Sequence, residues 1–340
     1  MKRATIKDVA EAAGVSRAAV SKVLRNAYGL SDDMRTRVEA AMTALSYRPQ
    51  TAARGLRGRT YTLGVVLPDM RNPFFPDILD GVISTLRSTS YEPLIGFRPS
   101  AEASEKHAID TMLDHKIDGF LMVAPRLEES YLTTVATSVP TVMIGRHDRD
   151  CGYDTVNNDD RVGARLAVEH LISLGHRDIA YFGLEPTSAA PNNSTNLRLS
   201  GYRDTMTAHG LTDNMSIFEG THFRGERYDE EVAQRILVAP RRPTAVFCWT
   251  DSVAFTLMAE ALKLGIRIPE DLSVIGYDNS RLAELPQLSL TSIDQSGHLL
   301  GSEAMKLLIE RIEGRRTDRH IILPPRLDVK GSTGPAPVSA

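Results

Sequence analysis

Hydrophobic positions in the first fifty residues recur at helical spacing, in three short runs set apart by residues that stop helices. Ile6, Val9, Ala10 and Ala13 fall at i, i+3, i+4 and i+7, one apolar stripe on a short helix. Thr5-Ile6-Lys7-Asp8 has the form of a capping box: a hydroxyl for the exposed amides, and an acid three residues on to reach back. Gly14 follows, where the chain must accept a positive φ to leave the helix. Ser16 can cap a second helix with Ala19, Val20, Val23 and Leu24 inward. Ser31 can cap a third with Val38, Ala41, Met42 and Leu45 inward, ended by Pro49. Two short helices across a tight Gly turn, braced by a third, predict a helix-turn-helix domain over residues 1–49.

From Tyr61 the pattern changes to short apolar runs alternating with helical periodicity. Thr62–Pro68, Pro93–Phe97, Asp118–Ala124 and Pro140–Gly145 read as strands of a parallel sheet covered on both faces. Asp178–Gly183, Thr244–Trp249 and Leu272–Tyr277 make a second set, with helices around 161–174, 196–209, 226–238 and 252–264. Two βαβ series predict two doubly wound α/β lobes with a ligand crevice at the carboxyl ends of the strands. A helix near 296–313 and the strands on either side of it cross back between lobes. The first lobe then takes about 61–160 plus 294–322, and the second about 161–293 plus 323–330. Residues 331–340, rich in Pro, Gly, Ser and Ala, are expected to be a disordered tail. No repeat with a period of 20 to 50 residues is visible.

Residues 50–60, QTAARGLRGRT, join the two parts. Thr51 can cap a helix of two turns, but so short a helix with Gly55 inside is marginal in water. The segment is expected to order only against DNA and a second copy of the chain.

Charge sharpens this division. The whole chain carries −3, yet residues 1–60 hold 12 Lys and Arg against 5 Asp and Glu, and residues 61–340 hold 28 against 38. A basic head of +7 on an acidic body of −10 concentrates attraction for phosphate at one end. Hydrophobic content of 42% and charged content of 24% describe an ordinary globular protein. No run has the length of a membrane span or the form of a signal peptide, so no membrane partner and a cytoplasmic location are expected. Cys151 and Cys248 form no motif. Nucleotide-binding loops, HExxH and clustered metal ligands are absent from the sequence, so no cofactor, metal site or catalytic residue is expected, and an enzyme is disfavoured.

On the second helix the outward residues are Arg17, Ala18, Ser21, Lys22 and Arg25. Arg reads guanine through O6 and N7, Lys reaches the same edge, and Ala touches a thymine methyl. The stretch TIKDVAEAAGVSRAAVSKVL, continued by Tyr47-Arg48-Pro49 and Ala53-Arg54-Gly55-Leu56-Arg57, resembles the amino terminus of the lactose-repressor/galactose-repressor (LacI/GalR) family of bacterial transcription regulators. Asn72-Pro73-Phe74-Phe75, His170-Leu171-Ile172 before Gly175-His176, Pro243-Thr244-Ala245-Val246-Phe247 and Ile268 to Asp278 extend the resemblance to the family's core, which is similar to periplasmic sugar-binding proteins.

The resemblance implies a ligand-responsive repressor that binds near-palindromic double-stranded operator DNA as a homodimer. Arg17, Ala18 and Lys22 would read bases, and Leu56 would wedge into the minor groove at the operator centre. Thr5, Ser16, Ser21, Arg25, Tyr47, Arg54 and Arg57 complete the expected DNA contacts. For the effector it implies Phe74, Phe75, Arg146, Arg198, Phe223, Trp249 and Asp278, where carboxylate and guanidinium can bind a polyol and aromatic faces cover a ring. Trp249 and Thr256 depart from the family pattern, where small residues and Gly are common. A sugar or sugar derivative is the favoured effector and a purine or nucleoside the alternative. A solute-binding receptor without DNA control is the reading from another class.

Overall fold

The computed structural model describes residues 4–24, 30–47, 59–97, 102–187, 190–220 and 228–337. Arg25, Arg54, Leu56, Arg57 and Phe223, and the expected hinge helix apart from residues 59–60, lie outside the described residues. The chain divides into two compact units, Met1–Thr60 and Tyr61–Ala340.

In the first unit, α1 (Ile6–Ala13), α2 (Arg17–Leu24) and α3 (Asp32–Ala44) form the three-helix arrangement. The capping box is complete: Asp8 N–H donates to Thr5 Oγ1, and Thr5 N–H donates to Asp8 Oδ2 at 2.7 Å. Gly14 stops α1 at φ 64°. Ser16 Oγ accepts from Ala19 N–H at 3.1 Å, and Ser31 Oγ from Met34 N–H at 3.3 Å. These caps fix where each helix starts, so Val9, Ala10, Ala13, Val20, Val23, Val38 and Ala41 meet in one small core. Leu45, expected inward, is 37% exposed because α3 ends at Ala44 and the chain turns away.

The second unit holds two six-stranded sheets. The first, in the order β11-β5-β4-β3-β1-β2, is parallel throughout and joins Thr62–Leu67 (β1), Glu92–Phe97 (β2), Gly119–Val123 (β3), Thr141–Ile144 (β4), Asp154–Asn158 (β5) and His320–Leu323 (β11). The second, in the order β12-β10-β9-β8-β6-β7, joins Ile179–Leu184 (β6), Met215–Gly220 (β7), Ala245–Cys248 (β8), Ser273–Asp278 (β9), Thr291–Asp294 (β10) and Arg326–Asp328 (β12), with β12 alone antiparallel. The chain therefore crosses between lobes after Asn158, after Asp294 and between Leu323 and Arg326. Central strands β1, β3, β4, β6, β8 and β9 are buried almost end to end, as near-continuous apolar runs require.

Two features were not visible in the apolar pattern. Helix Phe74–Leu86 and helix Gly297–Ile312 cross at a pair of glycines in the first lobe. A Cβ on Gly81 would stand 2.0 Å from the His298 carbonyl oxygen, and one on Gly301 2.0 Å from that of Ile78. Because backbone must move in either case, Gly81→Ala and Gly301→Ala should each destabilise the core by about 1–3 kcal/mol or more, measured by urea unfolding. A loss below 0.5 kcal/mol, roughly the scale of an ordinary surface change, would show that the helices part freely.

The second feature corrects an expectation. Residues 331–337 are not a disordered tail but lie against the second lobe. Ser332 Oγ accepts from Thr291 N–H at 2.8 Å and donates to the Val274 carbonyl at 2.6 Å, and Ala336 N–H donates to Leu174 O at 2.9 Å. His176, fully buried, sits within hydrogen-bond reach of Thr244, Ser273 and the Gly334 carbonyl. Composition alone misses such a strap because hydrogen bonds of the Ser332 hydroxyl, the His176 ring and the backbone, not apolar side chains, hold it.

Candidate effector cleft and DNA-reading helix

A cavity of about 350 Å³ opens between the lobes where both sheets present their carboxyl ends. Phe74, Phe75, Arg198, Trp249 and Asp278 all line it. Phe74 is 6% exposed and belongs mostly to the first-lobe core, while Phe75 and Trp249 are half-buried with faces available to the cleft.

Arg198 is placed by the first turns of helix Ser194–Ala208, which Asn193 caps by accepting from Asn196 N–H at 2.8 Å. Its guanidinium is shared three ways. Nε donates to Asp160 Oδ1 at 2.8 Å, Nη1 to the Trp249 carbonyl at 2.7 Å and Nη2 to Gln295 Oε1 at 3.1 Å. The Tyr277 ring lies 3.7 Å below it. Burial alone would raise the Asp160 carboxyl, but the Arg198 guanidinium and then His147, 2.9 Å from Oδ2, outweigh it and hold the group below the usual carboxylate range.

Asp278 ends β9 with φ 122°, a left-handed conformation that costs an L-residue free energy and recurs where function demands it. Its Oδ1 accepts from Gln295 at 2.5 Å and its Oδ2 from Asn72 at 3.0 Å. Burial pushes its carboxyl up to about 8; Arg198, 4.0 Å away, opposes the rise and nearby Asp251 adds to it. Amide side chains complete the polar wall: Asn157, Asn158 and Asn193 join Asn72 and Gln295. Among the described residues no group of three or more His, Cys, Asp or Glu could hold a metal ion.

Arg146 is a correction. It does not reach the cleft but is fully buried behind it, with Nε on Asp148 Oδ2 at 2.7 Å and Nη1 on the Leu127 carbonyl at 2.8 Å. A guanidinium placed there satisfies the turn after β3. Conversely Asp160, Asn72 and Gln295 are cleft or near-cleft residues that sequence reasoning did not select. Asp160 stands beside Asp159, which caps the next helix by accepting from Val162 N–H at 3.1 Å.

In the amino-terminal unit Arg17, Ala18 and Lys22 are exposed on α2, and Ser21 is half-buried. The Thr5 and Ser16 hydroxyls are committed to caps, and Tyr47 packs half-buried against the three-helix core.

A helix-turn-helix unit with cations along the outer face of its second helix, followed by a two-lobed α/β unit with a polar and aromatic cleft, defines a DNA-binding regulator with an effector-binding domain. Residues 5–50 match the model of bacterial regulatory proteins of the lacI family, and residues 168–333 match the periplasmic binding protein-like domain. The chain is 32% identical over 339 residues to the HTH-type transcriptional repressor CytR of Escherichia coli (strain K12), covering 98% of this chain and 97% of CytR. It is 31% identical over 335 residues to catabolite control protein A of Priestia megaterium, covering 97% and 99%. Its fold superposes on the crystal structure of the lac repressor dimer bound to operator and the anti-inducer ONPF with a TM-score of 0.80, at 26% identity over 98% of this chain and all of that one. The protein belongs to the LacI family. It is a DNA-binding transcriptional repressor with an effector-binding domain, and not an enzyme. No helix among the described residues is long and apolar enough to cross a membrane.

Proposed function

We propose that this repressor binds a near-palindromic operator as a homodimer in the cytoplasm, and that a neutral sugar or sugar derivative in the cleft sets its affinity for DNA. The observation that supports a sugar most is the lining. A carboxyl at Asp278 and the amides of Asn72, Asn157, Asn158 and Gln295 offer donors and acceptors on all sides, while Phe75 and Trp249 supply faces for the apolar side of a ring. Arg198 is neutralised by Asp160, so this guanidinium does not by itself demand an anionic ligand, and Arg71 and Arg126, also in the lining, are accompanied there by Asp69 and Asp229. The effector must favour one lobe arrangement over the other to change operator affinity.

A thermal-shift panel of sugars, sugar acids, polyols, phosphosugars, purines and nucleosides tests this. A true effector at a hundred times its Kd adds about 2.7 kcal/mol to the core. A neutral sugar hit that also changes operator binding supports the reading. A purine or nucleoside hit would replace the ligand class, since flat aromatic faces and amides also suit a base. A panel without any shift would remove sugar gating and leave the DNA-binding role standing.

On the DNA side, Arg17, Ala18 and Lys22 are proposed to read the half-site. Arg17→Ala should relax selection at one base position by about 1–3 kcal/mol, scored by binding to operators substituted one pair at a time. A uniform loss across all sequences would make Arg17 a phosphate contact instead.

A further inference from the structure

Four consecutive residues, beginning with the last of β9, divide their side chains between the lobes. Asp278 reaches the first lobe through Asn72, just ahead of helix Phe74–Leu86. The next two are pinned to the second lobe. Asn279 N–H donates to Ser292 Oγ at 3.0 Å and its side chain bonds Asp328 and Lys330, while Ser280 donates through both N–H and Oγ to buried Asp251 at 2.7 and 2.9 Å. Arg281 turns back to the first lobe, with Nη2 on Asp80 Oδ2 at 2.8 Å and Nε 3.2 Å from Asp77 Oδ1. Asp80 and Glu284 both lie near Asp77 together with this one guanidinium, so acids outnumber the cation among them.

We infer that residues 278–281 are a rigid bracket by which the second lobe grips the start of helix Phe74–Leu86, and that Arg281 is a positioning residue that sets lobe separation on this side of the cleft. Two left-handed residues in a row, at φ 122° and 49°, give the bracket its shape, and the buried Asp251 carboxylate holds it. The grip has two points, Asn72 inside the cleft and the Asp77–Asp80 pair outside it. Resting on the reading of the cleft as an effector site, a ligand that takes over Asp278 hydrogen bonding leaves Arg281 as the bracket's remaining grip, while Arg146 and His147 join the lobes separately through residues 192–194. Arg281 contributes through geometry, since an exposed ion pair contributes little alone. A cleft whose competent arrangement is less populated binds its ligand more weakly by the same fraction.

The test needs no effector. Spin labels on Ser130→Cys in the first lobe and Asp213→Cys in the second, both exposed, report lobe separation by pulsed dipolar spectroscopy; Cys151 and Cys248 are buried. Labelled protein is diluted with unlabelled protein so that pairs within one chain dominate. Arg281→Ala should lengthen and broaden the distance distribution, and Arg281→Lys should bring most of it back. High salt should broaden the wild-type distribution and leave that of Arg281→Ala unchanged. A distribution untouched by Arg281→Ala, or one that Arg281→Lys does not recover, overturns the assignment. Failure of the sugar reading shows separately, as a ligand panel without shifts in a protein whose bracket still responds to these changes.

Discussion

Replacing Arg198 by methionine should destabilise the core by about 3–5 kcal/mol, the cost of leaving a buried carboxylate without its partner. Asp160 is 2% exposed, and without Arg198 it is left with His147 and the Tyr277 hydroxyl, neither of them a permanent cation. The same change leaves the Trp249 carbonyl and Gln295 without the donors they now have. Trp249 is the single tryptophan of the chain, so its fluorescence during urea unfolding reports on the site itself. Arg198→Lys should recover little, because an ammonium cannot direct three bonds in the plane of a fork. Arg198→Met with Asp160→Asn should recover a large part of the loss, since the unpaired charge goes with the pair.

The pH dependence has a defined sign. The folded Asp160 carboxyl lies below its ordinary value of 3.8, so its stabilisation is complete above that pH and is lost as pH falls through the folded value. In Arg198→Met burial acts with less opposition and raises the group. The gap between wild type and variant should therefore narrow in acid and be widest near neutral pH. A deficit under 1 kcal/mol at pH 7 would mean that water reaches Asp160 and the triple contact of Arg198 is not structural.

How much of this was legible in sequence depends on where the information lies. The helix-turn-helix could be read because its signals are local: Thr5, Gly14, Ser16 and Ser31 each act within four residues of themselves. The central strands could be read because burial on both faces forces continuous apolar runs. Strand β5, Asp-Thr-Val-Asn-Asn, is buried throughout and has almost none of that pattern. Most of its polar groups are satisfied by residues distant in the sequence. Asp154 meets Arg311 and Arg315, Thr155 pairs with His320, and Asn157 bonds Gly145 N–H at 2.7 Å and the Arg146 carbonyl at 2.6 Å. No local periodicity encodes such partners. The same holds in the cleft. Arg198 and Asp278 came from family resemblance. Asp160, Asn72 and Gln295 come from three separate stretches that only the fold brings to them. Arg146 failed for the opposite reason, since its position after β4 was right for a ligand contact while its side chain points into the body of the lobe.

Asp278→Asn should make the protein more stable and deaf to its effector at once. The folded carboxyl titrates at about 8, far above 3.8, so the stability it contributes is fully present below 3.8 and is lost as pH rises through about 8. At neutral and alkaline pH the wild-type core therefore carries a buried group held against its preference. An amide of the same shape removes that burden and its oxygen keeps one of the two donated bonds; its NH2 must face Asn72 or Gln295, whose oxygens are held by Phe74 N–H and Arg198, so one hydrogen bond is given up in return. The expected gain is about 0.5–2 kcal/mol, the usual scale when a functional strain is relieved. Each kcal/mol should raise Tm by about 2–4 °C for a domain of this size. Measured from pH 5 to 9, the advantage of the variant should grow with pH. Measured above pH 8, where the Asp278 carboxylate is charged, effector affinity should fall by roughly 10- to 100-fold, the scale of a lost hydrogen bond to a charged group. Operator binding without effector should persist, because no described residue of the helix-turn-helix unit is altered. The two effects separate the possible failures. A variant that is no more stable at pH 8 than at pH 5, relative to wild type, would show that Asp278 is well solvated. A variant that is stabilised yet responds to effector as wild type does would place the recognised hydroxyls elsewhere, with the amides of Asn157 and Asn158 next to be changed.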